Sequence, residues 1–133
     1  MAPSPVAADQ PVAQATHPAT ADIIPGMPEN VAGMLSYFVF PAIIFLFVQP
    51  FSRNRFVRFH CFQCLITMGV LLVVHLFLAL LARALPLVVL PLFGLLLLAD
   101  LTLLLLLLMK TYQGERFKLP IIGDLAEARA ETI

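Results

Sequence analysis

Polar stretches alternate along the chain with three long apolar blocks, and the blocks set the elements. Residues 31–49 and 62–82 carry no acidic side chain, lysine or arginine, and residues 88–109 carry only Asp100. Each block approaches the ~20 residues a helix needs to cross ~30 Å of hydrocarbon. The pattern therefore predicts three transmembrane helices, over 31–49, 62–82 and 88–109, in a membrane domain covering 29–112. Asn30 stands where the first helix would be capped. Pro41, near the middle of that block, predicts a tolerated kink that frees the Tyr37 carbonyl. The second helix starts near Arg55 and runs to about Arg83. Pro86 marks a turn too short for a domain, so the last two helices are expected to form a hairpin. The predicted fold class is all-α integral membrane protein, and three spans leave the termini on opposite sides.

The flanks read differently. Residues 1–28 repeat proline and contain no lysine or arginine. Each proline removes an amide donor and fixes φ, so a disordered tail is expected there. It has neither the basic start nor the apolar run of a signal peptide. At the other end, Gly114 permits a sharp helix exit and Pro120 interrupts any helix around it. Asp124 followed by Glu127 resembles a capping box opening a short amphipathic helix. Residues 113–133 are thus expected to lie on the headgroups, with Phe117, Leu119, Ile121 and Ile122 dipping in.

Composition supports a membrane environment. Of 133 residues, 61% are hydrophobic and 12% charged, against ~25% charged in soluble domains. The formal net charge is zero, so no long-range field recruits nucleic acid. Placement matters more than the sum. Arg53, Arg55, Arg58, Lys110, Arg116, Lys118 and Arg129 fall on one side of the predicted spans, and Arg83 alone on the other. The positive-inside rule puts that set in the cytoplasm and the proline-rich tail outside. Arg53, Arg55, Arg58, Lys110, Arg116 and Lys118 are the candidate anchors, their stems snorkelling toward anionic headgroups.

The stretch "SRNRFVRFHCFQC" concentrates the candidate chemistry. Covalent haem needs histidine after a Cys-x-x-Cys pair, whereas His60 precedes Cys61 and Cys64. Zinc wants four ligands, and these residues offer three at most. No metal or other cofactor is expected, and a Cys61–Cys64 disulfide would close almost no loop. His60 and Cys64, four residues apart, could serve as base and nucleophile, but such a pair is more often packing. No other catalytic constellation is present, so no enzyme is expected. At ~100° per residue, His60, Gln63, Cys64 and Thr67 share one face, which suits hydrogen bonds across helices.

Two ionisable groups lie deeper, His75 in the second block and Asp100 in the third. An intramembrane carboxylate costs roughly 2.5–3.5 kcal/mol on insertion scales, so it is a functional candidate by default. Counting from a turn near Leu85 offsets the two by ~7–9 Å, which argues against direct contact and leaves a water bridge. The buried polar set is therefore His60, Gln63, Thr67, His75 and Asp100.

"ENVAGMLSYF", "NRFVRFHCFQ" and "YQGERFKLPIIGDLAE" together resemble a family of small bacterial multi-pass membrane proteins of unknown function. That family is distantly similar to the membrane subunit of the chloroplast inner-envelope protein-import translocon. The likeness spans about residues 29–127 and implies a multi-pass helical protein of the bacterial cytoplasmic (inner) membrane, with no catalytic residues to carry over. Two functions follow as expectations. One is a non-catalytic subunit or scaffold that binds anionic lipid and partner proteins. The other is an oligomeric conduit for protons, ions or polypeptide, lined by Asp100, His75 and the His60–Thr67 face. The expected partners are the bilayer and either further copies of the chain or another membrane protein.

Overall fold

The computed structural model describes residues 22–132. The tail expected over residues 1–28 falls mostly outside that range. Its last residues are not a tail. Asp22–Ile24 (β1) and Met27–Pro28 (β2) pair antiparallel, and the chain reverses at Gly26 with φ of 86°, a conformation glycine adopts without a Cβ clash. Ile23, Ile24 and Met27 then pack against the main apolar core. That burial holds the small ribbon in place despite its prolines.

The first apolar block forms two short helices, Glu29–Leu35 (α1) and Val39–Phe47 (α2). The expected kink at Pro41 is instead a helix start. A continuous helix would need an amide at position 41 to bond the Tyr37 carbonyl, and proline has none. The chain breaks after α1, extends at Phe38 (φ −92°, ψ 127°), and restarts with Pro41 in a first turn that asks for no donor. Pro28, not Asn30, occupies the N-cap of α1.

Two long helices follow, Arg55–Ala82 (α3) and Pro86–Tyr112 (α4). At 1.5 Å per residue each is about 40 Å long, and both are apolar enough to cross a membrane. Asn54 caps α3 by accepting from the amides of Phe56 and Val57 at 2.9 and 3.1 Å. Past Gly114, whose φ is 78°, the chain folds back into Ile122–Thr132 (α5). Ala126 and Ala130 of α5 lie against Phe59, with Phe62 and Ile66 alongside.

The contacts of α1 and α2 stay at one end of this hairpin. Asn30 Nδ2 donates to the Tyr112 carbonyl at 2.9 Å. Phe45 stacks on Phe51 with ring centroids 4.4 Å apart, and the Ser52 amide reaches back to the Val48 carbonyl. A Cβ on Gly33 would come within 2.6 Å of Phe56 and 2.9 Å of Thr111, so only glycine lets α1 lie this close. The first block thus enters and returns, its helices about 10 and 13 Å long. Neither reaches across ~30 Å of hydrocarbon. Among the described residues two helices are long enough to span, and residues 22–30 lie at the same end of the hairpin as residues 113–132, where three spans were expected to separate them.

The result is a head on a stem. Around residues 56–67 of α3 the other segments close in, burying nine side chains of that helix, with Leu78 the one buried further along. Beyond Thr67, apolar side chains such as Leu72, Val73, Phe77, Leu95 and Leu98 stand exposed. Water would penalise that surface by about 25 cal/mol per Å², whereas lipid chains carry no such cost.

Candidate functional site

Four segments meet around His60. The side chains of His60 and Gln63 are fully buried, and the Gln63 Nε2 amino group donates to Tyr37 Oη and to the Phe117 carbonyl, both at 3.1 Å. A carbonyl can only accept, so Phe117 fixes which end of the Gln63 amide faces it. Tyr37 Oη, accepting from Gln63, is also hydrogen-bonded to His60 Nδ1 at 2.9 Å. Thr111 Oγ1 stands 3.4 Å from the same nitrogen. The α1–α2 break, α3, α4 and the exit segment are thereby tied through one imidazole and one amide. His60 is further enclosed by the edges and faces of Phe56 and Phe59, 4.5 and 5.1 Å away between centroids. Phe56 and Phe59 thus line this head.

Below the head a groove of about 710 Å³ runs between α3 and α4. Its walls are mainly leucines, with Tyr37, Cys64 and Thr67 at the head end and His75 and Asp100 at the far end. Cys61 and Cys64 are free thiols, both buried. His75 Nε2 and Asp100 Oδ2 are 3.3 Å apart, so the contact argued against from sequence is present. Side chains on a helix lean toward its N-terminus. On two antiparallel helices, His75 therefore leans toward the head and Asp100 toward the turn, and the backbone offset closes. Phe93 meets the His75 ring edge-on at 5.1 Å, and His75 Nδ1 lies 2.8 Å from the Leu71 carbonyl.

The basic residues divide. Arg53, Arg55 and Arg116 are exposed, and Lys110 is partly so, at the head end of the molecule. Arg58 is buried, its Nη1 donating to the Ser52 carbonyl at 3.4 Å. The expectation of a snorkelling anchor there is corrected, because α3 turns that side chain toward the loop preceding it. Lys110 pairs with Glu115 at 2.8 Å. Lys118 pairs with Glu127 and, at 3.9 Å, with Asp124. Its ammonium is held above the usual lysine range, chiefly by the hydrogen bond it donates to Glu127. Asp124 and Glu127, expected to cap a helix, clasp Lys118 instead, and α5 begins earlier at Ile122. Sequence reasoning missed Tyr37 and Thr111. The signal was a tyrosine beside a helix-breaking proline and a threonine next to a basic helix end.

A hydrogen-bonded head carried on an apolar two-helix stem is the architecture of a helical integral membrane protein. No family model matches the chain, and no solved structure does. It is 38% identical over 104 residues to a UPF0132 membrane protein of Methanocaldococcus jannaschii, covering 77% of this chain and 88% of that one. A UPF0132 membrane protein of Archaeoglobus fulgidus is also 38% identical, over 101 residues, covering 76% and 94%. The chain belongs to the UPF0132 membrane proteins. These relatives are archaeal, whereas the motifs suggested a bacterial family.

Proposed function

We propose that this protein is a non-catalytic integral membrane subunit or scaffold, which holds anionic lipid and partner proteins at its basic end. The observation that carries this reading is the contrast between head and stem. The polar groups of the head are largely turned inward onto one another, while exposed Arg53, Arg55 and Arg116 surround them. Exposed cations beside an apolar stem suit phosphate headgroups, at about 1 kcal/mol per residue near the surface. On the positive-inside rule this end faces the cytoplasm. The test is native mass spectrometry of protein extracted with its lipids, comparing wild type with an Arg53→Gln/Arg55→Gln/Arg116→Gln variant. Retained anionic lipid in the wild type and its loss in the variant support the reading; equal retention refutes it.

The His75–Asp100 pair favours a second reading, an oligomeric conduit. Intramembrane ionisable pairs mark ion and proton paths in other proteins, and the likeness to an import-translocon subunit would make polypeptide a further passenger. Two spanning helices enclose no pore, so a conduit needs several copies or a partner. In this reading Asp100→Asn abolishes flux in proteoliposomes while leaving assembly intact, and unchanged flux removes Asp100 from any path.

A further inference from the structure

The groove between α3 and α4 is not explained by a scaffold that acts through its head. At about 710 Å³ it lies within the ~300–1,000 Å³ typical of small-molecule sites. Its long walls are apolar, so its occupant is mostly hydrocarbon. Two polar points interrupt them. Thr67 is more than nine-tenths buried, lines the groove, and its Oγ1 has no hydrogen-bond partner. At the other end stand His75 and Asp100.

The hydrogen-bond inventory at that end defines what is missing. The Leu71 carbonyl can only accept, so His75 Nδ1 carries the hydrogen. Nε2 is then an acceptor in the neutral ring. It lies 3.3 Å from Asp100 Oδ2 but has no well-directed hydrogen bond. The Asp100 carboxyl oxygen that does not face His75 keeps a free lone pair. The deep end asks for an O–H donor, and the apolar walls ask that the molecule carrying it be uncharged. Thr67, by contrast, can both donate and accept.

The two points are eight residues apart on α3, about 12 Å along the axis. Two hydrogen bonds of about 2.8 Å and one ring with oxygens on opposite edges bridge such a gap. A bilayer phospholipid fits less well, because its polar groups stay at the surface and would leave methylenes against His75 and Asp100. We propose that the groove binds an isoprenoid lipid of the hydroquinone class, with one ring hydroxyl donating to the His75–Asp100 pair, the opposite oxygen bonded to Thr67, and the prenyl chain along the leucine walls. This goes beyond the scaffold reading and does not depend on it.

Gly69 provides a clean block. It lines the groove, and a Cβ there meets no atom within 4 Å, so the side chain of Gly69→Leu starts in open space beside the groove. The experiment places the full chain in phosphatidylcholine nanodiscs and titrates three probes: menaquinone-4, the same compound reduced to its quinol, and geranylgeraniol as a chain-only control. Binding is read by native mass spectrometry, which also reports the number of protein copies. The quinol should bind at least tenfold tighter than the quinone, which lacks the donor, and tighter than geranylgeraniol. Gly69→Leu should abolish binding without changing the copy number. Thr67→Val, which preserves shape and removes the hydroxyl, should weaken the quinol about tenfold. A His75→Phe/Asp100→Leu double variant should erase the preference for quinol over quinone. Equal binding of all three probes, or quinol binding indifferent to Gly69→Leu, overturns the proposal. So does a dimer lost in Gly69→Leu with no quinol bound, which would assign the groove to a second copy.

Discussion

Replacing Gln63 with leucine tests whether the head is held by its central amide. Gln63 Nε2 makes two hydrogen bonds, to Tyr37 Oη and to the Phe117 carbonyl, each 3.1 Å long. A net hydrogen bond contributes about 1 kcal/mol, so losing both removes about 2 kcal/mol. Part of this is returned, because Gln63 Oε1 is buried without a partner and leucine removes it. The balance is about 1.4 kcal/mol, or roughly tenfold in an equilibrium. The loss should be local, since Phe117 belongs to the exit segment, whose tie to α3 runs through this amide and the docking of α5. Trypsin offers a direct assay. Cleavage after Arg116 and Lys118 in nanodisc-embedded protein should rise about tenfold in Gln63→Leu, while cleavage after Arg83 at the far turn stays unchanged. Equal cleavage at 116 and 118 in both proteins would refute the view that this amide fastens the exit segment.

Other expectations follow from the same geometry. Gly33→Ala sets a methyl 2.6 Å from Phe56 and 2.9 Å from Thr111, so thermal unfolding in detergent should show about 1–3 kcal/mol of destabilisation. Single cysteines at positions 30 and 115, in a Cys61→Ser/Cys64→Ser background, should react with an impermeant maleimide from the same side of the membrane. A cysteine at 83 should react only from the other side, and opposite-side labelling of 30 and 115 would overturn the re-entrant reading of α1 and α2. Lys118 is raised by the hydrogen bond it donates to Glu127, so its contribution is fully present below the unfolded lysine value of ~10.4 and is lost as pH rises through the folded one. Hydrogen exchange in α5 should thus be flat from pH 6 to about 9, after correction for the intrinsic rate, and rise only at higher pH; Lys118→Met should remove that rise.

Much of this molecule is legible in one dimension. Where apolar residues run past twenty with almost no charge, burial in lipid is the outcome that leaves few polar groups unsatisfied, and α3 and α4 follow with their turn at Pro86. Membership of a membrane-protein family agrees with that composition. The shared face of His60, Gln63, Cys64 and Thr67 was also legible, since it depends only on the helical repeat.

The first apolar block shows where that reading stops. Its composition suits a span, but hydropathy is a sum over residues and does not register where a backbone bond fails. Pro41 withdraws the amide that Tyr37 would need, Gly33 permits α1 to press on Phe56 and Thr111, and the block turns back at the head. Arg58 is likewise basic in sequence and buried in space, because its helix turns it toward Ser52. The His75–Asp100 contact depends on side chains of antiparallel helices leaning toward each other, a direction that a count of residues from the turn omits. Sequence by itself determined which segments leave water, because that choice is local and additive. Only the tertiary structure decided which segment returns, which cation is buried and which polar groups meet, because each of those is set by a neighbour far away along the chain.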